Sequence, residues 1–147
     1  MPRVSALIRQ ATREDWWHVL EALKVLNVHG VEHFTKKRVK ELVKKHCVGL
    51  ISDGVDVAGA CVLEVEDKAI EIYALGIAPH YQGMGLGSKF IRWSEAMARG
   101  VEVPFLYANS YEFYGALPFY EKNGFTTISK VTDSELPSSF YTFVKMI

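Results

Sequence analysis

The stretch from residue 70 to residue 88, IEIYALGIAPHYQGMGLGS, decides the fold of this 147-residue chain. Its first part, Ile70 to Ala78, is nearly all apolar, with Glu71 as its one charged residue. Such a run predicts a strand that is buried on both faces at the centre of a sheet. The glycines that follow predict a tight turn leading into an amphipathic helix from about Met84 to Arg99. Strand, turn and helix together form the expected centre of the domain.

The turn itself, Gln82 to Ser88, has the composition of a phosphate-binding loop. The first amides of a helix lack intrahelical partners and carry partial positive charge, and glycines let a ligand approach the backbone. A plain tight turn that serves helix–strand packing is the alternative. The turn lacks the Lys of a Walker-type loop. It also departs from a dinucleotide-binding fingerprint, because Ser88 stands where that motif needs its last glycine. Glu102, however, lies about as far along the chain as the acidic residue that the fingerprint requires.

The patterns on either side extend this centre into one domain that covers residues 1–147. The expected strands are 4–10, Cys47 to Ile51, Val57 to Val65, Phe105 to Ala108, Phe125 to Val131 and Phe140 to Ile147. The expected helices bury Trp16, Val19, Leu20, Leu23 and Leu26, then Val39, Leu42 and Val43 up to about His46, with a short one at Pro118 to Lys122. Asp53-Gly54 predicts a hairpin turn. The predicted fold class is α/β (α+β), a mixed, mostly antiparallel sheet of six or seven strands with about four helices on its faces.

Composition favours a globular cytoplasmic protein. Apolar residues make up 49% of the chain, which is enough for a buried core. No apolar run is long enough for a membrane span, and the first residues lack the pattern of a signal peptide. Cys47 and Cys61 do not have the spacing of metal ligands or of a redox pair, so no disulfide framework is expected.

Formal net charge is zero, but residues 1–50 carry +5 and the remainder −5. Most of the basic excess lies between Lys36 and Lys45, which is typical of a solvated amphipathic helix; an acidic partner or RNA is the less favoured interpretation. Nucleic-acid or membrane binding is therefore not expected. His29 and His33 could share a helical face, but no third ligand accompanies them, so no metal site is predicted.

Three segments in the right order resemble the general control-related N-acetyltransferase (GNAT) superfamily. Gln82-x-x-Gly85-x-Gly87 after Leu75-Gly-Ile-Ala-Pro79 looks like its coenzyme A pyrophosphate signature. Ala116-x-x-Phe119-Tyr120-Glu-Lys-Asn-Gly124-Phe125 resembles its second signature, and Ile8-Arg-x-Ala-Thr-x-x-Asp15 resembles a common opening. The order of elements also matches, so the resemblance extends over the whole chain.

The resemblance implies an acetyltransferase that uses acetyl-CoA as co-substrate and needs no metal. The strand segment would pair with the pantetheine arm, where the family splays this strand from the next, and the turn would bind the pyrophosphate. The implied coenzyme-binding residues are Leu75, Gly76, Ile77, Gln82, Gly83, Met84, Gly85, Leu86, Gly87, Ser88 and Asn109. Lys89, Arg92 and Lys122 are candidates for the remaining phosphates, although a solvated helix face explains them more simply.

Two side chains are the expected catalytic residues. An amine with a pKa near 10.4 is neutral in only about 1 molecule in 2,500 at pH 7, so a base is useful. Glu71 matches the place where some lysine-acetylating members carry a catalytic Glu; it could equally face water at a strand end, with Glu64 and Glu66 as less favoured candidates. Tyr120 matches the family's general acid, either by hydrogen bonding to the leaving thiolate or by proton transfer from a lowered pKa.

One departure concerns the coenzyme contact. Many members have Asn three residues before the matched Ala116, where this chain has Phe113. The segment from Tyr111 to Gly115 is unusually aromatic, and it either lines an acceptor site or covers apolar surface. Direct acetyl transfer to an amine is predicted, with a non-catalytic coenzyme A-binding module as the alternative and a nucleotide-binding protein as a third possibility. The acceptor is open between small molecules and protein lysines or N-termini, and a homodimer is possible.

Overall fold

The computed structural model describes residues 7–28, 30, 32–52 and 55–147. Within these ranges the chain forms seven strands and four α-helices, joined by short 3-10 turns. In chain order they are β1 (Arg9–Gln10), α1 (Trp16–Leu23), α2 (Lys36–Lys45), β2 (Cys47–Ser52), β3 (Val57–Val65), β4 (Ala69–Ile77), α3 (Leu86–Gly100), β5 (Phe105–Tyr111), α4 (Leu117–Lys122), β6 (Thr126–Val131) and β7 (Phe140–Met146). None of these described helices is long and apolar enough to cross a membrane.

The strands form one sheet in the order β1-β2-β3-β4-β5-β7-β6. Neighbouring strands are antiparallel except β4 and β5, which run parallel. The predicted mixed, mostly antiparallel sheet is thus confirmed, and the apolar strand is at its centre. The amphipathic patterns placed each helix within a few residues of its observed ends.

The differences from prediction lie at element ends. The third helix begins at Leu86 rather than Met84, because Gly85 precedes it with φ of 79°, which a helical residue cannot adopt. The first long helix ends at Leu23, and Leu26 lies in a following 3-10 turn. Of the predicted strand 4–10, Arg9–Gln10 is observed while residues 1–6 lie outside the described ranges, as does the predicted turn at 53–54.

Two hydrophobic cores lie on opposite faces of the sheet. One face packs on α1 and α2, and the side chains that fill this core include Val19, Leu23, Val39, Leu42, Leu50 and Val62. The other face packs on α3 and α4, and its core includes Ile70, Ile72, Phe90, Ile91, Leu106 and Tyr120. The alternation of side chains along the central strands supplies both cores at once. Any group on these strands is therefore assigned to one face by its position.

Glu102, which lies at the distance that a dinucleotide fingerprint would require, has a structural role at the end of α3. Glu102 has φ of 59°, and its amide donates to Arg99 O while the Val103 amide donates to Ala98 O. This pair of bonds is a Schellman cap, in which the left-handed position usually holds glycine. Glu102 thus ends the helix.

The parallel pair β4–β5 separates after a short contact. It extends from Ala69–Phe105 to Ile72–Ala108. At that point β4 carries one extra residue, Tyr73, because Leu63 pairs with Ile72 whereas its neighbour Val62 pairs with Ala74. Such a bulge bends a strand. Beyond it β4 follows β3 and β5 follows β7, so a gap opens between their carboxyl ends.

Candidate active site

A cavity of about 860 Å³ occupies the gap between β4 and β5. One end reaches the glycine turn at Gln82 and Gly87, and the other reaches Glu71 and the segment after α1. Helix α1 packs directly on β4, since a Cβ on Gly76 would lie 2.5 Å from the Ala22 carbonyl oxygen. The cavity therefore lies where the splayed strands, α1 and the glycine turn meet.

The glycine turn presents free backbone amides at one end of this cavity. Gly83 and Gly85 both have φ of 79°, and a Cβ on either would meet no atom within 4 Å. Between Gly83 and Ser88, no amide donates to a backbone carbonyl in the described part of the chain. Unpaired amides at the start of a 15-residue helix form a site suited to a phosphate group. The glycines are thus required by backbone conformation and not by crowding.

Gly87 has a different reason to be glycine. A Cβ there would lie 2.8 Å from Phe119 Cε1 on α4, so the first turn of α3 packs directly against the ring of Phe119. Gln82 is also fixed, because its side-chain Nε2 donates to Ile77 O at 3.0 Å. The contact between Gly87 and Phe119 joins the two segments that resemble the coenzyme signatures. Of the predicted turn residues, Gln82 and Gly87 line the cavity, whereas Met84 is exposed and Leu86 is buried.

The last residues of β4 offer backbone groups to the gap. The Ala78 amide donates to Ala58 O of β3. Because successive residues of a strand direct their backbone groups to opposite sides, Leu75 and Ile77 direct theirs toward the gap. Leu75, Gly76 and Ile77 all line the cavity, as expected for a segment that would pair with an extended ligand.

Glu71 is half-buried and lines the same cavity. The Asn109 amide Nδ2 donates to Glu71 Oε2 at 3.2 Å, and Thr142 Oγ1 donates to Asn109 Oδ1 at 2.7 Å. Burial raises the pKa of Glu71; the Asn109 bond opposes this, while the nearby carboxylates of Glu64 and Glu66 add to it. A raised pKa makes a carboxylate a stronger base. Asn109, predicted to bind coenzyme, also lines the cavity, but its amide is engaged with Glu71 and Thr142.

Glu64 and Glu66 are closer to Glu71 than their sequence pattern suggests. The pattern predicts a solvated face, but both are half-buried. Glu64 lies directly opposite Glu71 in the β3–β4 pair, and one carboxylate oxygen from each of the three residues lies within 4.8 Å of the others. Glu66 accepts a hydrogen bond of 2.5 Å from Tyr107 Oη. Neither Glu64 nor Glu66 lines the cavity, so among these three it is Glu71 that a bound molecule would meet.

Tyr120 on α4 is buried in the hydrophobic core, and it also lines the cavity. Its ring stacks on Phe143 with centroids 4.7 Å apart and contacts Phe125 edge-on at 5.1 Å. Burial raises the pKa of Tyr120. A raised pKa opposes the predicted alternative of proton transfer from a lowered pKa, and favours hydrogen bonding to a developing thiolate. The same ring is thus both part of the core and open to the site.

Sequence reasoning left open what the aromatic segment does, and the structure places it along the cavity. Tyr111, Phe113 and Tyr114, together with Phe140 of β7, form what is here named the aromatic wall. Ring centroids are 5.2 Å apart for Tyr111–Phe113, 5.1 Å for Tyr111–Phe140 and 4.6 Å for Phe113–Tyr114. The aromatic density of residues 111–114 signalled a wall. No signal indicated Phe140, Tyr73 or the cavity-lining residues after α1, because only the tertiary fold brings them there.

Other candidate residues contribute less to the cavity. Cys61 is buried, with its pKa raised to about 12 by that burial, and burial also raises the pKa of Cys47; neither thiol lines the cavity. His29 lies outside the described residues, whereas His33 lines the cavity and stacks on Tyr111 with centroids 6.5 Å apart. Arg92 and Lys122 are exposed and Lys89 is half-buried. In the basic helix, Lys36 and Lys40 lie over the Trp16 ring at 5.2 and 4.8 Å.

Solved structures share this fold across almost the whole chain. Ard1 from Thermoplasma volcanium has 18% identity and a TM-score of 0.78, with 96% of this chain and 97% of that chain covered. IAA acetyltransferase from Bacillus cereus ATCC 14579 has 20% identity and a TM-score of 0.72, with 96% and 99% covered. A GNAT family acetyltransferase from Elizabethkingia anophelis with acetyl-CoA bound has 15% identity and a TM-score of 0.70, with 96% and 97% covered.

Sequence comparison identifies the family. No curated protein sequence gives a significant match. A family model described as acetyltransferase (GNAT) domain matches residues 44–127. These residues include β4, the glycine turn, α3 and α4, which supply part of the cavity lining. Since the match covers more than half of the chain, the protein belongs to the GNAT acetyltransferase family.

Proposed function

We propose that the protein transfers the acetyl group of acetyl-CoA to a primary amine by direct attack within a ternary complex. The observation that carries this proposal is the continuous cavity that joins the free amides of the glycine turn to the carboxylate of Glu71 and passes Tyr120. The family membership and the acetyl-CoA in the Elizabethkingia anophelis structure support the choice of coenzyme.

The coenzyme would lie along the gap between β4 and β5. Its pyrophosphate would accept hydrogen bonds from the amides between Gly83 and Ser88, where the helix dipole favours negative charge. Its pantetheine arm would pair with the outward backbone groups of Leu75 and with the N–H of Ile77, whose carbonyl oxygen already accepts from Gln82. In this arrangement the thioester would lie near Tyr120, between the coenzyme end of the cavity and Glu71.

The reaction needs two proton movements. The acceptor enters as an ammonium ion and loses one proton to Glu71. Its nitrogen then forms a bond to the thioester carbon while the carbonyl oxygen takes negative charge, which a backbone N–H of Leu75 to Ile77 would stabilise. As the C–S bond breaks, the second proton of the nitrogen passes to the sulfur, which leaves as the thiol with Tyr120 hydrogen-bonded to it. The products are the N-acetyl amine and free coenzyme A.

The two cysteines support direct attack over an acetyl-enzyme. A cysteine nucleophile acts as the thiolate, and the pKa of Cys61 is raised to about 12 by burial. Cys47 is half-buried with its pKa also raised, and both thiols are outside the cavity lining. A covalent intermediate would require a thiol near the thioester.

Thiol release from acetyl-CoA, measured with a panel of alkylamines, aralkylamines, polyamines, amino acids, aminoglycosides and peptides, tests this function. A thermal shift with acetyl-CoA alone runs beside it, with ATP and NAD as controls. Amine-dependent thiol release and stabilisation by acetyl-CoA are expected. Stabilisation without release by any amine would instead indicate a coenzyme A-binding module. Stabilisation by ATP or NAD but not by coenzyme A would overturn the coenzyme assignment.

A further inference from the structure

We infer that the acceptor is a primary amine with a single positive charge on an apolar, preferably aromatic, body. This inference rests on the proposed function, since it names the substrate class of the same cavity. Its basis is the contrast between the two ends of that cavity, one lined by backbone groups of the turn and the other by aromatic rings and a single carboxylate.

Hydrogen bonds within the chain hold the aromatic wall in place. Tyr114 Oη donates to Leu26 O at 2.6 Å, which fastens the wall to the segment after α1. The Glu112 amide donates to Ser139 O at 2.7 Å, which fastens it to the start of β7. All four rings of the wall are half-buried, so part of each ring remains open. A preformed apolar surface binds an apolar ligand with little loss of conformational freedom.

The charges of the lining select against acceptors with additional ionised groups. Among the described residues that line the cavity, Glu71 is the only Asp or Glu, none is Lys or Arg, and His33 is the only His. An acceptor carboxylate, as in an amino acid, would meet the carboxylate of Glu71, with no Lys or Arg in the lining to balance it. A second ammonium group at the far end of the acceptor would lie among the rings of the wall, because Glu64 and Glu66 cluster with Glu71 and lie outside the cavity lining. Burying an unpaired charge is strongly unfavourable, so one positive charge is the number that this lining accommodates.

The position of Glu71 defines where that charge would lie. Glu71 is on β4 next to the bulge at Tyr73, and Asn109, which holds its carboxylate, is only two residues before Tyr111 of the wall. An ammonium group at Glu71 would therefore have its body along the wall. Aromatic rings beside a cation add further attraction. This geometry fits an amine at the end of an alkyl or phenylalkyl group.

Matched pairs of acceptors test the inference. The rate constant kcat/KM for thiol release is measured with 2-phenylethylamine and L-phenylalanine, which differ by one carboxylate, and with hexylamine and 1,6-diaminohexane, which differ by one ammonium. We expect the singly charged member of each pair to be favoured at least about tenfold. From propylamine to hexylamine, kcat/KM should rise by about fourfold for each methylene, as expected for burial of apolar surface.

Variants of the wall supply a second test. Phe113→Ala should lower kcat/KM for 2-phenylethylamine at least about tenfold and lower kcat/KM for propylamine, which is too short to reach along the wall, by much less. Phe113→Leu, which keeps most of the volume, guards against a variant that does not fold, and should lower the preference for the phenyl over the alkyl amine. Trp17→Leu is the matched control, because Trp17 is 51% exposed and lies outside the cavity lining.

The outcomes separate this inference from the proposed function. Faster reaction of the amino acid or the diamine, with Phe113 variants unaffected, would overturn the acceptor class while leaving acetyl transfer intact. If the wild-type protein neither binds acetyl-CoA nor releases its thiol with any amine, the proposed function itself would be overturned. If acetyl-CoA binds but no amine reacts, binding of 2-phenylethylamine to the coenzyme A-loaded protein is measured by NMR, and absence of binding at the wall would refute the inference.

Discussion

The side-chain amide of Asn109 donates a hydrogen bond of 3.2 Å to the carboxylate of Glu71 across the parallel strands β4 and β5. Asn109 is the first residue of β5 beyond the last pair, Ile72–Ala108, so the bond spans the start of the gap. Thr142 on β7 in turn donates to Asn109. The proposed base is thereby held by three neighbouring strands at the entrance to the acceptor end of the cavity.

Removal of this bond should change the pH dependence of the reaction. The Asn109 amide favours the charged form of Glu71 and so lowers its pKa. In Asn109→Leu the pKa of Glu71 should rise, and the acid limb of kcat/KM against pH should move to higher pH. Wild type and variant are compared with the same amine, so that titration of the amine affects both pH profiles equally. Thr142→Val should give a smaller shift in the same direction; an unmoved acid limb in Asn109→Leu would contradict a role for Glu71 as base.

Tyr120→Phe removes only a hydroxyl group from a ring that stacks on Phe143. Because the ring packing is retained, we expect an unchanged melting temperature and an unchanged Kd for acetyl-CoA. The kcat should fall at least about tenfold, as the leaving sulfur loses a hydrogen-bond donor. Tyr141→Phe is the control, since its hydroxyl donates to Glu112 outside the cavity lining. Wild-type turnover in Tyr120→Phe would exclude Tyr120 from the mechanism.

The sequence predicted those parts of the site that depend on local pattern. The apolar run identified β4 as central, and the spaced glycines identified the turn, whose positive φ values the structure shows. The separation of β4 from β5 depends on the bulge at Tyr73, which arises from the pairing of β3 with β4 and leaves no signature in the residues themselves. The sequence patterns singled out both Glu71 and Asn109, but they did not predict that the two side chains are in contact.

The acceptor end of the cavity was the least predictable part. Tyr114 hydrogen-bonds to Leu26, 88 residues earlier in the chain, and no periodicity relates positions so far apart. Phe140 reaches the wall through the β5–β7 register, which pairs it with Tyr111. The position of Glu64 opposite Glu71 is likewise a consequence of strand register. Sequence patterns report which face a residue occupies, whereas register decides its neighbours across the sheet.

Asp15 should contribute stability that depends on pH. It accepts hydrogen bonds of 2.8 and 2.9 Å from the Arg9 guanidinium and of 2.8 Å from the Thr12 amide, and these hold the pKa of Asp15 well below its usual range. The stabilisation is therefore complete above the unfolded-state pKa of about 4 and is lost as the pH falls through the lower folded-state pKa.

Asp15→Asn should accordingly lower the free energy of unfolding at pH 7 by about 1–2 kcal/mol, with the half-exposed Arg9 limiting the effect. Urea denaturation at several pH values measures this. The difference from wild type should shrink below about pH 4. Glu14→Gln changes the neighbouring exposed carboxylate and should have little effect; an equal loss in both variants would argue against a specific role for Asp15.

Glu102→Gly should stabilise the protein, because Glu102 holds the left-handed position of the cap that ends α3. Relief of that conformation is worth about 1–2 kcal/mol, and the greater freedom of glycine in the unfolded chain offsets part of it. A net gain of about 0.5–1 kcal/mol is expected, seen as a rise in Tm. Glu102→Ala removes the charge but keeps the Cβ, so it should give no such gain; equal gains would assign the effect to charge.

Binding of acetyl-CoA along the gap between β4 and β5 is tested most directly by following the backbone amide NMR signals during a titration with acetyl-CoA. The amides from Gly83 to Ser88, together with those of Leu75 and Ile77, should show the largest shifts, while those of α2 stay unchanged. Gly85→Val, which is strained at φ of 79°, should abolish these shifts, whereas Gly100→Ala at the far end of α3 should not. Shifts confined to other surfaces, with the turn unaffected, would contradict the assignment of this cavity to the coenzyme.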